Sequence, residues 1–415
     1  MRSKDTFHLC LDGRRTDKGG IGRVSQEIEM ALTGAEGIEL TVLCSANQSE
    51  TVPAGLKKIL CNFGPLSLAE YEQLPGIIAE TGCDIFISPQ FYAPPTITVP
   101  VVSWVHDTWP LLHPEWLPPL SSVFNKFGDD SRSAGALIVS QYEQRRLKGE
   151  LFPENKFLAA TEASPKEPLY RFVVAMFALN LDRSVQLIAC SNHSREEVTR
   201  LFPEVRDKIR TIYNPVPKFA RMRSSAVNCS NECVLLHVSK WEARKNIPRL
   251  IRAVRLILNS HPELILRLVG TPVSSSSSEA VHEAIHQSDI ANNVQIFENV
   301  SDNMLVTLYS TARGFVMPSL YEGFSLPMVE AFGFGLPAAA SNRTALPEIA
   351  ADAALYFDPD DVRDMARVIE TVLFDQPMRR LLKERSARRL QELLNMPFRQ
   401  SILATLLGAL RQEVM

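Results

Sequence analysis

Several protein classes drop out of consideration because this chain of 415 residues lacks the residues they need. Its seven cysteines are scattered without a Cys-x-x-Cys pair, and Cys229 and Cys233 do not form part of a recognisable metal-ligand set. Free thiols in a reducing cytosol are expected, not a disulfide framework or structural zinc. No apolar leader is expected from Met1-Arg-Ser-Lys-Asp-Thr, which runs straight into a short strand pattern. The longest apolar run, Phe172 to Leu179, is too short to cross a bilayer and reads as a buried helix. Positive charge is not in excess either. The net charge is −3, and residues 1–213 hold 22 Lys and Arg against 26 Asp and Glu. That speaks against nucleic acid as a partner. It also offers anionic lipid no broad basic surface, although Arg145, Arg146 and Lys148 cluster, so peripheral membrane contact stays open.

A hydrophobic content of 45% with 22% charged residues is that of an ordinary globular protein, and the length favours two domains. Both halves alternate short apolar strands with helical patterns, the mark of doubly wound α/β units. In the first half, strands are predicted near Phe7–Leu11, Glu39–Cys44, Asp84–Ser88, Val101–Val105, Ala136–Val139 and Gln186–Cys190. In the second they fall near Val234–Val238, Ile265–Val269, Val294–Phe297, Gly314–Met317 and Ala338–Ala340. Asn214-Pro-Val-Pro217 breaks the pattern and places the junction. The expected division is 1–213 plus about 397–415 for one domain, and 214–396 for the other. Ser274–Ser278 reads as a flexible loop. An internal echo joins Leu137-Ile-Val, Arg145 and Phe152-Pro-Glu154 to Leu187-Ile-Ala, Arg195 and Phe202-Pro-Glu204. Each copy reads as a strand followed by a polar helix, without a functional account.

The richest stretch is Pro318-Ser-Leu-Tyr-Glu322-Gly-Phe-Ser-Leu-Pro-Met-Val-Glu330. A buried strand, Gly314–Met317, precedes it, and a helix is predicted from Leu326 to Phe334 with Pro327 in its first turn. Glu322 then lies on the loop at the strand's carboxyl end and Glu330 within the helix. Between them the backbone N–H groups of Gly323, Phe324, Ser325 and Leu326 open a helix N-terminus, an electropositive place for phosphate. Two carboxylates flanking an anion cradle suit a sugar joined to a nucleotide diphosphate. The plainer alternative is a surface loop with two solvated glutamates.

This stretch resembles the Glu-x7-Glu motif of retaining, sugar-nucleotide-dependent glycosyltransferases of the GT-B fold, specifically family 4, and Pro110-Leu-Leu-His-Pro-Glu-Trp116 resembles the family's bacterial mannosyl- and rhamnosyltransferase members. The motif's flanks agree: Ala331-Phe-Gly-Phe-Gly-Leu-Pro-Ala-Ala-Ala-Ser341, Asn342-Arg-Thr-Ala-Leu-Pro-Glu-Ile-Ala350 and Ala354-Leu-Tyr-Phe-Asp-Pro359. The resemblance implies an α/β protein with two Rossmann-like doubly wound domains facing across a cleft, the carboxyl-terminal helix returning to the first. Ligands would bind at the carboxyl ends of the strands. Glu322 would hold donor-sugar hydroxyls and Glu330 the ribose, with Gly323 to Leu326 on sugar and phosphate.

Val234-Leu-Leu-His-Val-Ser-Lys240-Trp-Glu-Ala-Arg-Lys245-Asn resembles the family's Gly-Arg-x4-Lys motif, with Lys240 at the arginine position and Lys245 at the lysine. Cations there would stabilise charge growing on the departing diphosphate, so that no metal or other cofactor is called for. Lysine lacks arginine's bidentate fork, Ser239 replaces the usual glycine, and Arg244 is placed to share the task. A solvated helix start is the simpler reading of these charges.

In the first half, Asp17-Lys-Gly19-Gly20-Ile-Gly22-Arg23 resembles the acceptor-side glycine loop that faces the donor phosphates. Arg14, Arg15, Lys18 and Arg23 would add positive charge, though such a turn is common in itself. Val101-Val-Ser-Trp-Val-His106-Asp107 resembles the family's His-Asp motif, whose histidine contacts the donor sugar. A lone His-Asp is otherwise more often structural, and His113 is read as structural. Pro215 stands where the family has glycine, removing an N–H from the hinge. The expectation is a retaining transfer of a sugar, mannose from GDP-mannose in particular, to a glycan or lipid-linked saccharide acceptor. It would take place in the cytoplasm, with the inner face of the membrane as one open location. A non-catalytic sugar-nucleotide scaffold and a sugar-nucleotide epimerase remain as alternatives.

Overall fold

The computed structural model describes residues 6–14, 19–46, 52–53, 55–64, 66–117, 130–151, 167–221 and 232–414. The chain divides into two compact units, Met1–Asn214 with Pro397–Met415, and Pro215–Met396.

Unit 1 is built on a seven-stranded sheet in the order β3-β2-β1-β4-β5-β6-β7. Its strands are β1 (Phe7–Asp12), β2 (Ile38–Cys44), β3 (Lys57–Leu60), β4 (Ile85–Ser88), β5 (Val101–Val105), β6 (Ser184–Ala189) and β7 (Ile209–Thr211). All pairs are parallel. Parallel strands need crossovers, supplied here by α1 (Gly20–Leu32), α2 (Leu68–Thr81), α3 (Asp130–Leu147), α4 (Glu167–Arg183) and α5 (Asn192–Leu201). Strand order reverses between β1 and β4, which makes that edge the switch point where ligands of such sheets bind.

Unit 2 repeats the plan with six strands in the order β10-β9-β8-β11-β12-β13, switching between β8 and β11. These are β8 (Cys233–Val238), β9 (Leu264–Val269), β10 (Val294–Phe297), β11 (Gly314–Met317), β12 (Ala338–Ser341) and β13 (Ala354–Phe357). They alternate with α6 (Ile247–Ile257), α7 (Ser275–Ser288), α8 (Asp302–Ser310), α9 (Leu326–Gly333) and α10 (Val362–Phe374), followed by α11 (Gln376–Leu394). Leu250, Ile251, Val254 and Ile257 of α6 recur at helical spacing and meet Ile369, Val372 and Leu373 of α10 over β8 and β9. The last helix, α12 (Phe398–Val414), belongs to unit 1, where it packs against α1 and β6.

Most predicted strands are present within two residues of their expected ends. The Ala136–Val139 strand is not: it lies inside α3. Ala134, Ile138 and Tyr142 are buried while Leu137 is exposed, an i, i+4, i+8 pattern that one helix face produces and a buried strand does not. The internal echo therefore fails as structure, because Leu137 to Leu147 of its first copy are helix where the second is β6 followed by α5. Phe152-Pro-Glu154 lies outside the described residues. Ser274–Ser278 is a helix start, not a loop. Ser274 caps α7 by accepting from the Ser277 N–H at 3.2 Å, and Ser277 Oγ accepts from the Ser274 N–H at 3.1 Å. The apolar run of Phe172 to Leu179 is the buried part of α4, with Phe177 stacked on Phe91 at 4.5 Å. Three strands that went unrecognised, β3, β7 and β13, are sheet edges: β3 is largely exposed, β7 is only three residues long and β13 four.

Candidate functional site

The candidate site in unit 2 lies at the carboxyl ends of β8 and β11, beside the switch point. Beyond Val238 the chain stays extended: the Ser239 N–H donates to Val269 O at 2.9 Å and the Trp241 N–H to Thr271 O at 2.9 Å. Gly270 permits this approach. It sits at φ +147°, and a Cβ there would lie 1.6 Å from the Ser239 carbonyl oxygen. Ser239 and Trp241 are buried while Lys240, between them, is exposed. A tight turn follows over Ala243–Lys245. Asn246 takes the left-handed conformation (φ 58°) and donates from Nδ2 to Pro318 O at 3.1 Å and Pro359 O at 2.8 Å. That residue fastens the lysine turn to the loop after β11.

The turn drives Lys245 inward. Its Nζ lies 2.6 Å from Glu322 Oε1, which also accepts from Ser319 Oγ at 2.7 Å. Arg244 donates from Nε to Glu242 Oε2 at 2.6 Å and from Nη1 to Tyr321 O at 3.1 Å, and its Nη1 is 3.4 Å from Glu322 Oε2. The Leu320 N–H returns to Arg244 O at 2.8 Å, and the Glu322 N–H to Thr344 Oγ1 at 2.9 Å. Glu322 is only 5% exposed and Lys245 8%. Burial alone would raise the Glu322 carboxyl, but the charges of Lys245 and Arg244 and the bonds from Lys245 and Ser319 hold it below its ordinary value. Burial and the charge of Arg244 lower Lys245 against the pull of Glu322.

The second glutamate of the motif, Glu330, is fully buried on α9, where its Oε2 accepts from Tyr309 Oη at 2.7 Å. The helix opens through Ser325 in the left-handed region (φ 77°), with Pro327 in the first turn. Gly323, Phe324 and Leu326 line that opening together with Ser325. The solvated-glutamate reading is thus overturned: neither carboxylate is a surface group. Lys240 and Lys245, read together as a cation pair, have different surroundings. Lys245 bonds Glu322 directly, and Ser319 and Arg244 bond the same carboxylate, whereas Lys240 stays exposed outside that hydrogen-bonded cluster. His237 of β8 went unassigned although a lone histidine in an apolar strand is a visible signal. It is fully buried, with Nδ1 3.0 Å from Val316 O and Nε2 2.7 Å from Ser239 Oγ. Tyr309 and Thr344 had no signal, since their partners are 21 and 22 residues away.

In unit 1, Gly19 caps α1 in an extended conformation and Gly20 and Gly22 fall in its first turn, Gly22 buried. Arg14 does not add free positive charge. It is buried at the end of β1, with Nε 2.8 Å from Asp12 Oδ1 and Nη2 2.9 Å from Asp12 Oδ2 and 2.6 Å from Glu70 Oε1. Arg15 and Lys18 lie outside the described residues. His106, half-buried at the end of β5, donates from Nε2 to Pro89 O at 2.8 Å, so Nδ1 carries the lone pair. Burial pushes its imidazole below the usual range. Cys190 Sγ and Ser194 Oγ donate to the His106 carbonyl at 3.0 and 3.2 Å, and Thr108 bonds Glu197. His113 stacks on Trp116 at 3.9 Å and bonds Glu115 at 3.0 Å, a structural part. Among the described residues no helix is long and apolar enough to cross a membrane, and no group of three or more His, Cys, Asp and Glu is placed to hold a metal.

Two doubly wound parallel-sheet units, one closing a Lys–Glu cluster at its switch point, define the GT-B class. The chain belongs to the glycosyltransferases of group 1 and family 4: the glycosyl transferases group 1 family model matches residues 220–389 and the Glycosyltransferase Family 4 model residues 18–218. It is similar to the O-antigen chain mannosyltransferase B of Escherichia coli, 29% identical over 56% of this chain and 63% of that protein. It is also similar to the serotype-specific mannosyltransferase WbdA of Escherichia coli, 28% identical over 52% of this chain. The matched part spans 63% and 28% of the lengths of these two relatives. In fold it resembles the sucrose-phosphate synthase of Thermosynechococcus elongatus (TM-score 0.67, 17% identity, 98% of this chain and 99% of that one). It likewise resembles Anabaena HepE in complex with UDP and glucose (TM-score 0.66, 16% identity, 97% of this chain and 100% of that one).

Proposed function

We propose that this protein is a retaining glycosyltransferase that moves a sugar, mannose from GDP-mannose in our reading, from a nucleotide diphosphate to an acceptor hydroxyl in surface-polysaccharide synthesis. The carrying observation is the buried Lys245–Glu322–Ser319 cluster, with Glu330 eight positions on at the other side of a helix opening. The similarity to mannosyltransferases, one of them of the O-antigen chain, supports the choice of sugar and pathway class. In the reaction the bond from the anomeric carbon to the diphosphate oxygen breaks and a bond to the acceptor oxygen forms. The acceptor's proton passes to the departing phosphate. Charge grows on that phosphate as it leaves, and Lys245 stabilises it, with Lys240 free to approach from solvent. Glu322 and the amides of Gly323 to Leu326 orient the sugar, Glu330 binds the ribose, and His106 and the loop of Gly19, Gly20 and Gly22 serve from unit 1. No divalent metal takes part, so activity should persist in a chelator. The acceptor is a growing glycan, on a lipid carrier at the inner face of the membrane or in solution.

Glu322→Gln preserves shape while removing the charge. It should retain nucleotide-sugar binding by calorimetry within about tenfold and lose turnover by about 100-fold or more. Turnover at the wild-type rate would sink the assignment of Glu322, and failure of the wild-type protein to bind any GDP-, UDP-, ADP- or dTDP-sugar would sink the function.

A further inference from the structure

The hydrogen-bond pattern around His237 settles which way each proton points. A carbonyl oxygen only accepts, so the 3.0 Å contact to Val316 O requires hydrogen on Nδ1. Burial pushes this imidazole down to about 4, so the ring is neutral and Nε2 bears a lone pair. The 2.7 Å contact to Ser239 Oγ is then a bond donated by the serine. Ser239 has given its single hydrogen to the ring, and among the described residues its oxygen has no other partner. What remains is a pair of lone pairs at the carboxyl end of β8, where the charges of Lys245 and Glu322 are both felt at the neighbouring ring.

We propose that Ser239 reads a hydroxyl group of the bound nucleotide sugar, accepting its hydrogen bond, and that His237 is the positioning residue that fixes it as an acceptor. This rests on the donor-site reading above. Phosphate is excluded as the partner, because phosphate oxygens would meet the serine lone pair against lone pair. Lys240, exposed between two buried neighbours, does not fill the place. The serine that stands at the family's glycine position therefore adds recognition of a hydroxyl, not of the anion.

The test is calorimetric binding of GDP-, UDP-, ADP- and dTDP-sugars, and of the matching free nucleoside diphosphates, to the full chain. Ser239→Ala should weaken the nucleotide sugar three- to tenfold, the loss of roughly one neutral hydrogen bond. Ser239→Thr, which keeps the hydroxyl, should restore affinity. His237→Asn keeps an N–H toward Val316 but loses the bond to Ser239. It should match Ser239→Ala, and the double variant should be no weaker than either. If the free diphosphate weakens equally, the hydroxyl is the ribose's; if only the nucleotide sugar weakens, it is the transferred sugar's. Both results support the proposal. Lowered melting temperatures with unchanged affinities would overturn it and leave the donor site standing, whereas a wild-type chain that binds no nucleotide sugar would overturn both.

Discussion

Glu322 and Lys245 are two charges withdrawn from water together, and each holds the other ionised. Breaking such a pair from one side strands the partner, so Glu322→Gln leaves Lys245 buried beside Arg244 without its counter-charge, and its turnover is read together with its melting temperature. His237 is the opposite case, a buried group kept neutral. Its folded value of about 4 lies below the ordinary 6.5, so on acidification the unfolded chain takes up this proton first. Stability is therefore lost as pH falls from about 6.5 toward 4, by up to roughly 3 kcal/mol. The lowered Glu322 carboxyl contributes a loss of the same sign at lower pH, below its ordinary value. Urea unfolding midpoints between pH 7 and 4.5 should fall in the wild type and fall less in His237→Gln; identical slopes would show that His237 titrates normally. Glu322, Glu330 and Lys245 were legible because the motif and its spacing are local. The partnership of Lys245 with Glu322 was not, because the two are 77 residues apart in sequence.

At the scale of elements, the site depends on how closely two strand ends approach. Gly270 lies against the Ser239 carbonyl at φ +147°, so Gly270→Ala meets both a steric clash and a backbone region that L-residues avoid. It should destabilise the protein by about 3 kcal/mol or more, read as a lowered melting temperature or insoluble expression. An unaltered melting temperature would mean that the strand ends can part without cost. The errors of sequence reading are instructive at this scale. Ala136-Leu-Ile-Val139 is apolar enough for a strand, and only the burial of Ala134, Ile138 and Tyr142 shows the helical face. The serines of 274–278 look like linker composition, yet their short hydroxyls satisfy the unpaired N–H groups of a helix start. Composition alone does not separate those two uses.

At the scale of the whole molecule, each unit closes its own core around its own parallel sheet. In unit 2, α6, α7 and α10 cover β8 and β9 without help from residues before Pro215. Residues 215–396 expressed alone should accordingly fold cooperatively and keep nucleotide binding within about tenfold of the full chain, while losing all transfer. Circular dichroism and calorimetry would check this. An unfolded fragment, or a folded one without affinity, would place the donor determinants elsewhere.

The sequence by itself determined the alternation of strands and helices, the strand-end positions of Glu322, Lys245 and His106, and the family. Hydrophobic periodicity and loop motifs are short-range properties written along the chain. Tertiary structure alone decided that Arg14 is neutralised by Asp12 and Glu70, that Lys245 is buried against Glu322 while Lys240 is exposed, and that Ser239 is held by His237. The bonds from Arg14 to Glu70 and from Lys245 to Glu322, 56 and 77 residues apart in sequence, depend on which segments become neighbours in the fold. Pairing of that kind is a contest between distant segments that no local pattern encodes.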